Sequence, residues 1–125
     1  MKMGRRTLAP KASYPFRSQL EKNVYEIIRR HFPDQEIKIN KKGLIKSNKR
    51  LELDLYLPKY KLGIEIQGPL HTQNEKIILR DYEKKKLFLG EGNIKLIYVY
   101  TNTYENKKHS IKKCLDIIND ERGRL

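Results

Sequence analysis

Two carboxylates, Asp54 and Glu65, occupy positions in adjacent apolar runs where they could act together. Residues 51–57, LELDLYL, and residues 62–67, LGIEIQ, each alternate apolar and polar side chains, which is the period of a β-strand. Residues 58–61 begin with a proline and are typical of a turn. A hairpin with this four-residue turn sets Asp54 opposite Glu65, with Cβ atoms about 4.5–5.5 Å apart.

Two carboxylates at this separation repel each other, and like charges that face each other across strands cost stability. A divalent cation removes that cost. Mg²⁺ in particular is usually held by one or two carboxylates together with a main-chain carbonyl and water. The arrangement of Asp54 and Glu65 therefore predicts a magnesium site. The alternative is a solvated polar face whose acids pair with nearby lysines.

Further polar residues reach the same end of the predicted hairpin. Gln67 closes the second strand, and His71 follows within a few residues. A neutral imidazole there could take a proton from a water near a metal ion, although a lone histidine is also common in polar loops. Asp81, early in the next predicted helix, could orient His71. It could instead pair with Lys85 one turn away.

Alternating helices and strands must position these side chains. The first helix begins at Ser18, which forms a capping-box pattern with Glu21, and stops before Pro33. Glu21 could serve this cap or reach the carboxylates. The remaining pattern predicts strands over 36–40, 51–57, 62–67 and 93–100, and helices over about 75–89 and 109–121. The order α-β-β-β-α-β-α predicts one mixed α/β domain over 18–125, behind a basic arm over 1–17.

The net charge of +13 indicates a polyanionic partner, and nucleic acid is the first expectation. Drift of a lysine-rich composition is the alternative. The single cysteine excludes an internal disulfide framework, and no apolar run reaches the length of a membrane span. We therefore expect a cytoplasmic protein without membrane contact. The residues expected to hold phosphates are Arg5, Arg6, Lys41, Lys42, Lys46, Lys49 and Arg50.

Three segments, RSQLE, LDLYLPKYKLGIEIQGPLH and RDYEKKKLFLGEGNIKLIYVY, resemble the PD-(D/E)XK nuclease superfamily. The resemblance spans roughly residues 17–101. It is closest to the branch of the very-short-patch repair and EDxHD homing endonucleases. That branch has a helix Glu, a strand Asp, a variable strand position, a loop His and a helix Asp. The matching residues here are Glu21, Asp54, Gln67, His71 and Asp81.

The sequence departs from the family pattern at two points. The lysine that gives the superfamily its name is absent, and Gln67 stands in its place. In this branch a histidine, here His71, serves as the base instead. The zinc-binding Cys/His set of the mismatch repair enzymes is also absent.

The resemblance implies a restriction-endonuclease-like mixed sheet flanked by helices, and a Mg²⁺-dependent DNA endonuclease of homing or mobile-element type from a bacterial or phage setting. Mn²⁺ is expected to substitute for Mg²⁺. Duplex DNA is the expected substrate, and a homodimer is expected if both strands are cut. The resemblance implies that Asp54, with Glu65 or the Ile66 carbonyl, binds the metal. It implies that His71 activates water and that Asp81 orients His71. Glu21 would anchor metal-bound water, and Gln67 would position the nucleophile or phosphate.

Other functions remain open at this stage. The segment IEIQGPLH also resembles the RAP domain, a relative of the same fold associated with RNA binding. Such a module would bind RNA without cleaving it. A Holliday-junction resolvase would be a dimer that cuts branched DNA. A purely structural basic protein would tolerate the loss of Asp54.

Overall fold

The computed structural model describes residues 16–68 and 75–124 and contains a four-stranded mixed sheet flanked by helices. The predicted α/β fold and its element order are confirmed. The elements are α1 (Gln19–His31), β1 (Lys38–Lys42), β2 (Glu52–Leu57), a 3-10 turn (Pro58–Tyr60), β3 (Leu62–Gln67), α2 (Glu75–Gly92), β4 (Lys95–Tyr100) and α3 (Tyr104–Arg124). Among the described residues, none of the helices has the length and apolar character needed to cross a membrane.

The sheet has the strand order β1-β2-β3-β4. The first three strands are antiparallel, and β4 runs parallel to β3 after the crossover through α2. Leu57 pairs with Leu62, as the four-residue turn predicts. Lys61 closes the turn in the left-handed region, with φ of 53°. Continued by one residue beyond Leu55 and Ile64, this register places Asp54 opposite Glu65.

Two hydrophobic clusters cover the two faces of the sheet. α1 and α3 pack on one face, where Val24, Ile64 and Cys114 are buried together. α2 covers the other face through Phe88. On that face Gly63 permits close packing, because a Cβ at this position would lie 2.6 Å from the Leu53 side chain. Lys84 of α2 contacts the polar end of the hairpin through Glu65 and the Glu52 carbonyl oxygen.

Several element boundaries differ from the sequence prediction, and three of the differences have a visible cause. α2 continues through Gly90 to Gly92, and Glu91 near its end accepts the Ser47 N–H at 2.9 Å. α3 begins at Tyr104 rather than at residue 109, because Thr103 Oγ1 accepts the Asn106 N–H at 3.0 Å and caps an earlier turn. β1 lies over Lys38–Lys42, two residues later than predicted, where it pairs with β2.

Candidate active site

Asp54 and Glu65 each accept a hydrogen bond from the opposite strand. The Asp54 N–H donates to Glu65 Oε2 at 2.9 Å. The Ile66 N–H donates to Asp54 Oδ2 at 2.8 Å. The two carboxylates therefore lie side by side, as the hairpin register predicts, and the main chain fixes both.

Lys84 of α2 reaches into this pair. Its Nζ donates to Glu65 Oε1 and to the Glu52 carbonyl oxygen, the latter at 2.6 Å. The Lys84 side chain is only 19% exposed. Both oxygens of Glu65 are thus engaged, one by a backbone N–H and one by an ammonium group.

Sequence reasoning did not single out Lys84, which is one of three consecutive lysines. A signal was nevertheless present. Asp81, Lys84 and Phe88 recur at helical spacing, and Phe88 faces the core. This spacing places Lys84 on the inward side of α2, whereas Lys85 and Lys86 are exposed.

The protonation of the carboxylate pair is shifted by its surroundings. Burial and the adjacent Asp54 charge raise the pKa of Glu65 to about 7, although Lys84 opposes the shift. Burial also raises the pKa of Asp54, against the lowering effect of the Ile66 N–H. Near neutral pH and without a bound metal ion, the pair of carboxyl groups therefore retains a proton for part of the time.

Glu21 approaches the pair from α1. Its N–H donates to Ser18 Oγ at 3.1 Å and so completes the helix cap, while its carboxylate turns inward and is 4% exposed. Burial and the Asp54 charge raise the pKa of this carboxyl. Within residues 16–68 and 75–124, Glu21 Oε1 has no hydrogen-bond partner. The cap uses the backbone of Glu21, whereas its carboxylate interacts with the Arg17 backbone and the Asn40 side chain, both of which oppose the rise in its pKa.

The Glu52 carboxylate forms an ion pair with Arg17. The Arg17 guanidinium donates two hydrogen bonds to its carboxylate, with Nη2 to Oε2 at 2.7 Å. Arg17 also lies close enough to Glu21 and Asp54 for their charges to raise its pKa, although the Glu52 hydrogen bond has the largest effect. Glu52 thus belongs to a solvated ion pair at the border of the site.

Gln67 is buried at the end of β3. Its main-chain carbonyl accepts the Thr101 hydroxyl at 2.7 Å, which ties β3 to the end of β4. Its side-chain Oε1 is buried and accepts no hydrogen bond from the described part of the chain. A buried amide oxygen without a partner is costly, so this atom is a candidate ligand-contacting group.

A cavity of about 590 Å³ opens between the sheet and α2. Its wall includes the carboxylate pair, Gln67 and the Ile66 backbone region from the sheet. From α2 it includes Asp81 and two cationic side chains, Arg80 and Lys84. The cavity therefore combines paired acids with positive charge, which suits a phosphate group held near a cation.

The predicted site residues are only partly brought together by the described structure. Asp54, Glu65, Gln67 and Asp81 line one cavity. Glu21 lies near Asp54 but is not among the described residues of the cavity wall. The Asp81 carbonyl oxygen accepts the Tyr98 hydroxyl at 2.7 Å. His71 lies outside the described residues, as do Arg5 and Arg6.

The predicted phosphate-binding residues of the domain border the cavity through one loop. Lys46, Lys49 and Arg50 are exposed on the loop between β1 and β2. Asn48 and Leu51 from the same stretch line the cavity wall. Lys41 and Lys42 lie on β1, the first strand of the sheet. The loop that carries Lys46, Lys49 and Arg50 thus reaches the wall of the cavity.

The oxygen atoms around Asp54 are compatible with a magnesium ion that has few protein ligands and keeps several of its waters. Across the two described ranges, no group of three or more His, Cys, Asp or Glu side chains is arranged to hold a metal. Mg²⁺ commonly needs only one or two carboxylates and keeps several waters. Asp54, the Ile66 carbonyl and the unpartnered oxygens of Glu21 and Gln67 are of the right chemical type.

Comparisons with protein-family models, with curated proteins and with solved structures found no match for this chain. The resemblance to the PD-(D/E)XK nucleases therefore remains a prediction from the residue pattern.

Proposed function

We propose that this protein is a Mg²⁺-dependent DNA endonuclease of homing or mobile-element type that hydrolyses phosphodiester bonds. The observation that carries the proposal is the pair formed by half-buried Asp54 and buried Glu65 at a cavity wall. A chain with a net charge of +13 holds two acids side by side, and Lys84 offsets only part of the repulsion between them, which costs stability. Such an arrangement suits binding of a cation together with a phosphate.

Asp54 is the residue best placed to lead metal binding. Glu65 has both oxygens engaged, by the Asp54 N–H and by Lys84. Asp54 uses Oδ2 for the Ile66 N–H and, within the described residues, has no ammonium partner, unlike Glu65. Asp54 with the Ile66 carbonyl would therefore hold the ion, and Glu65 would join them if Lys84 moved away. A bound Mg²⁺ would polarise the phosphate and stabilise its developing charge.

The other residues would act on the water and the phosphate. His71 would accept the proton of the attacking water, and Asp81 would orient the imidazole. Glu21 would hold water in the site through its inward-facing carboxylate. Gln67 would contact the phosphate or the nucleophile through its buried amide.

Lys84 would stabilise negative charge on the substrate. Its ammonium group is partly buried beside Glu65, in the wall of the cavity. A cation in such a water-poor site interacts more strongly with a phosphate than an exposed one does.

Exposed cations would hold the DNA backbone outside the cavity. Lys46, Lys49 and Arg50 on the loop, and Lys41 and Lys42 on β1, would contact phosphates of the duplex. Arg5 and Arg6 would extend this contact along the duplex. A homodimer would be required for coordinated cutting of both strands.

A substrate panel tests the proposal. Supercoiled plasmid, linear duplex, branched DNA and RNA are incubated with the wild-type protein in Mg²⁺, Mn²⁺, Ca²⁺ or EDTA. Cleavage of duplex DNA in Mg²⁺ and Mn²⁺, with binding but no cleavage in Ca²⁺, is expected. Cleavage restricted to branched DNA would indicate a resolvase. Tight RNA binding without cutting of any DNA would indicate a RAP-like module and contradict the proposal.

A further inference from the structure

A second cavity, of about 460 Å³, lies beside the outer edge of β4, the last strand of the described sheet. The wall on the strand side is aromatic and consists of Tyr98 and Tyr100. The wall on the α3 side is polar and includes Asn106 and Lys113, with Asn102 at the end of the groove. None of these residues has a role in the phosphodiester chemistry proposed above.

The two tyrosines form a platform of fixed orientation. Their ring centroids are 6.3 Å apart, with an interplanar angle of 39°. The Tyr98 hydroxyl donates to the Asp81 carbonyl, and the Tyr100 N–H donates to Ser110 Oγ at 3.2 Å. The Tyr100 side chain nevertheless remains 40% exposed. The Tyr98 ring is half-buried and its hydroxyl bond restrains it, while the exposed Tyr100 ring is suited to stacking with a nucleobase.

The polar wall offers both hydrogen-bond donors and hydrogen-bond acceptors. Asn106 Nδ2 donates to Asn102 Oδ1 at 2.9 Å. This bond uses one donor and one acceptor, so Asn106 Oδ1 and Asn102 Nδ2 retain capacity for a ligand. A neighbouring acceptor and donor match the edge of a nucleobase, which carries both types of group. The Lys113 ammonium supplies a charge for the attached phosphate.

The second cavity adjoins the carboxylate site. The β3–β4 ladder pairs Glu65 with Tyr98 and Gln67 with Tyr100. Neighbouring strands lie about 4.8 Å apart, so the backbone of each tyrosine lies on the strand adjacent to a residue of the candidate active site. Tyr98 also contacts Asp81, which lines the first cavity. A nucleotide next to a phosphate bound at the carboxylates would therefore reach the aromatic wall.

We propose that the cavity formed by Tyr98, Tyr100, Asn102, Asn106 and Lys113 binds an unpaired nucleobase of the substrate. A base within a continuous duplex is stacked and paired, so its faces and edge are not available to these groups. The protein would consequently prefer DNA with an unpaired nucleotide near the bound phosphate. This inference rests on the proposed function, because it names the substrate feature that the same nucleic-acid surface selects.

Binding in EDTA tests the inference without requiring cleavage. The probes are a short DNA duplex and the same duplex with one unpaired 2-aminopurine. The wild type should bind the second probe more tightly, and stacking on the tyrosines should lower the 2-aminopurine fluorescence. Tyr100→Ala should weaken binding of that probe by about tenfold and binding of the paired duplex by less than about twofold, the loss expected for one stacked base.

Two further variants serve as controls. Tyr100→Phe keeps the ring and should bind as the wild type does. Tyr104→Ala removes a ring that is 74% exposed at the start of α3 and does not line the cavity, so it should change neither probe.

The inference is overturned if the wild type shows neither a preference for the unpaired base nor a fluorescence change. It is also overturned if Tyr100→Ala weakens both probes equally or neither. The fluorescence of the wild-type complex gives a result even if the Ala variant is unstable. Failure of the proposed function is a separate result, namely a wild-type protein that shows the binding preference but leaves every DNA uncut in Mg²⁺.

Discussion

Asp54 and Glu65 are joined across the hairpin because the Asp54 backbone N–H donates to the Glu65 carboxylate at 2.9 Å. The Asp54 carboxylate in turn accepts the N–H of Ile66, the residue after Glu65. These bonds hold two like-charged groups in contact, where burial raises the pKa of both. Lys84 offsets part of the resulting electrostatic cost, and a bound metal ion or a proton would relieve the remainder.

Removal of one charge should stabilise the metal-free protein. Asp54→Asn keeps an oxygen that can accept the Ile66 N–H but abolishes the repulsion with Glu65. A like-charge cross-strand pair costs roughly 0.2–1 kcal/mol and more when partly buried, so we expect Tm in EDTA to rise by about 1–5 °C. Asp116→Asn, which changes an exposed side chain on α3, should leave Tm almost unchanged.

A Mg²⁺ titration of the same melts adds a second test. The wild type should gain more Tm than Asp54→Asn, because the ion binds only the folded site. An Asn variant that melts lower than the wild type in EDTA, with neither curve moved by Mg²⁺, would show that the paired-carboxylate metal site does not exist.

Stability should fall as pH rises towards neutrality in the absence of metal. The folded pKa of Glu65, about 7, lies above its ordinary value of 4.5, so the folded state binds more protons than the unfolded state between these values. The stabilising contribution is full below about pH 4.5 and is lost as pH rises through about 7. The raised pKa values of Asp54 and Glu21 have the same sign.

Urea unfolding across this pH window measures the effect. Glu65→Gln should flatten the decline in the free energy of unfolding, because it removes the titrating group. Glu36→Gln, a change at an exposed carboxylate, should leave the slope as in the wild type. An equal slope in all three proteins would contradict the assigned protonation of Glu65.

Loss of Lys84 should destabilise the fold. Lys84→Gln removes the ammonium group that neutralises buried Glu65 and bonds to the Glu52 carbonyl. Leaving buried groups without such a partner costs about 1–3 kcal/mol. Lys85→Gln, on the adjacent exposed position, is the matched control and should cost little. If the two variants unfold at the same urea concentration, Lys84 does not stabilise the carboxylate pair.

DNA affinity should depend steeply on salt. If six to eight phosphates are contacted, the slope of log K against log salt should be about −5 to −7 on duplex DNA. Lys46→Gln removes one expected phosphate contact and should reduce the slope by about one unit. Lys59→Gln, in the turn at the opposite end of the hairpin, should not change it. A slope near zero in the wild type would rule out nucleic-acid binding through phosphates.

The hairpin could be predicted from the sequence because its determinants are local. Period-two alternation identified β2 and β3, and the length of the turn fixed the pairing of Leu57 with Leu62. The adjacency of Asp54 and Glu65 follows from that register.

The contribution of Lys84 depends instead on tertiary packing. Which of three successive lysines is drawn inward depends on the packing of Phe88 of α2 against Leu53 and Leu96 of the sheet. The extension of α2 through Gly90 has a similar origin. A helical glycine costs about 1 kcal/mol relative to alanine, and contacts elsewhere in the helix offset that cost.

The initial rate of nicking of supercoiled plasmid in Mg²⁺ tests the central claim most directly, with wild type, Asp54→Asn and Asp116→Asn compared at equal DNA occupancy. We predict nicking by the wild type and by Asp116→Asn at similar rates. Asp54→Asn should bind DNA with an affinity within a few-fold of the wild type. Its nicking rate should fall by at least about 100-fold, because the charge that holds the cation is gone. Nicking by Asp54→Asn at the wild-type rate would contradict the assignment of the carboxylate pair as the catalytic centre.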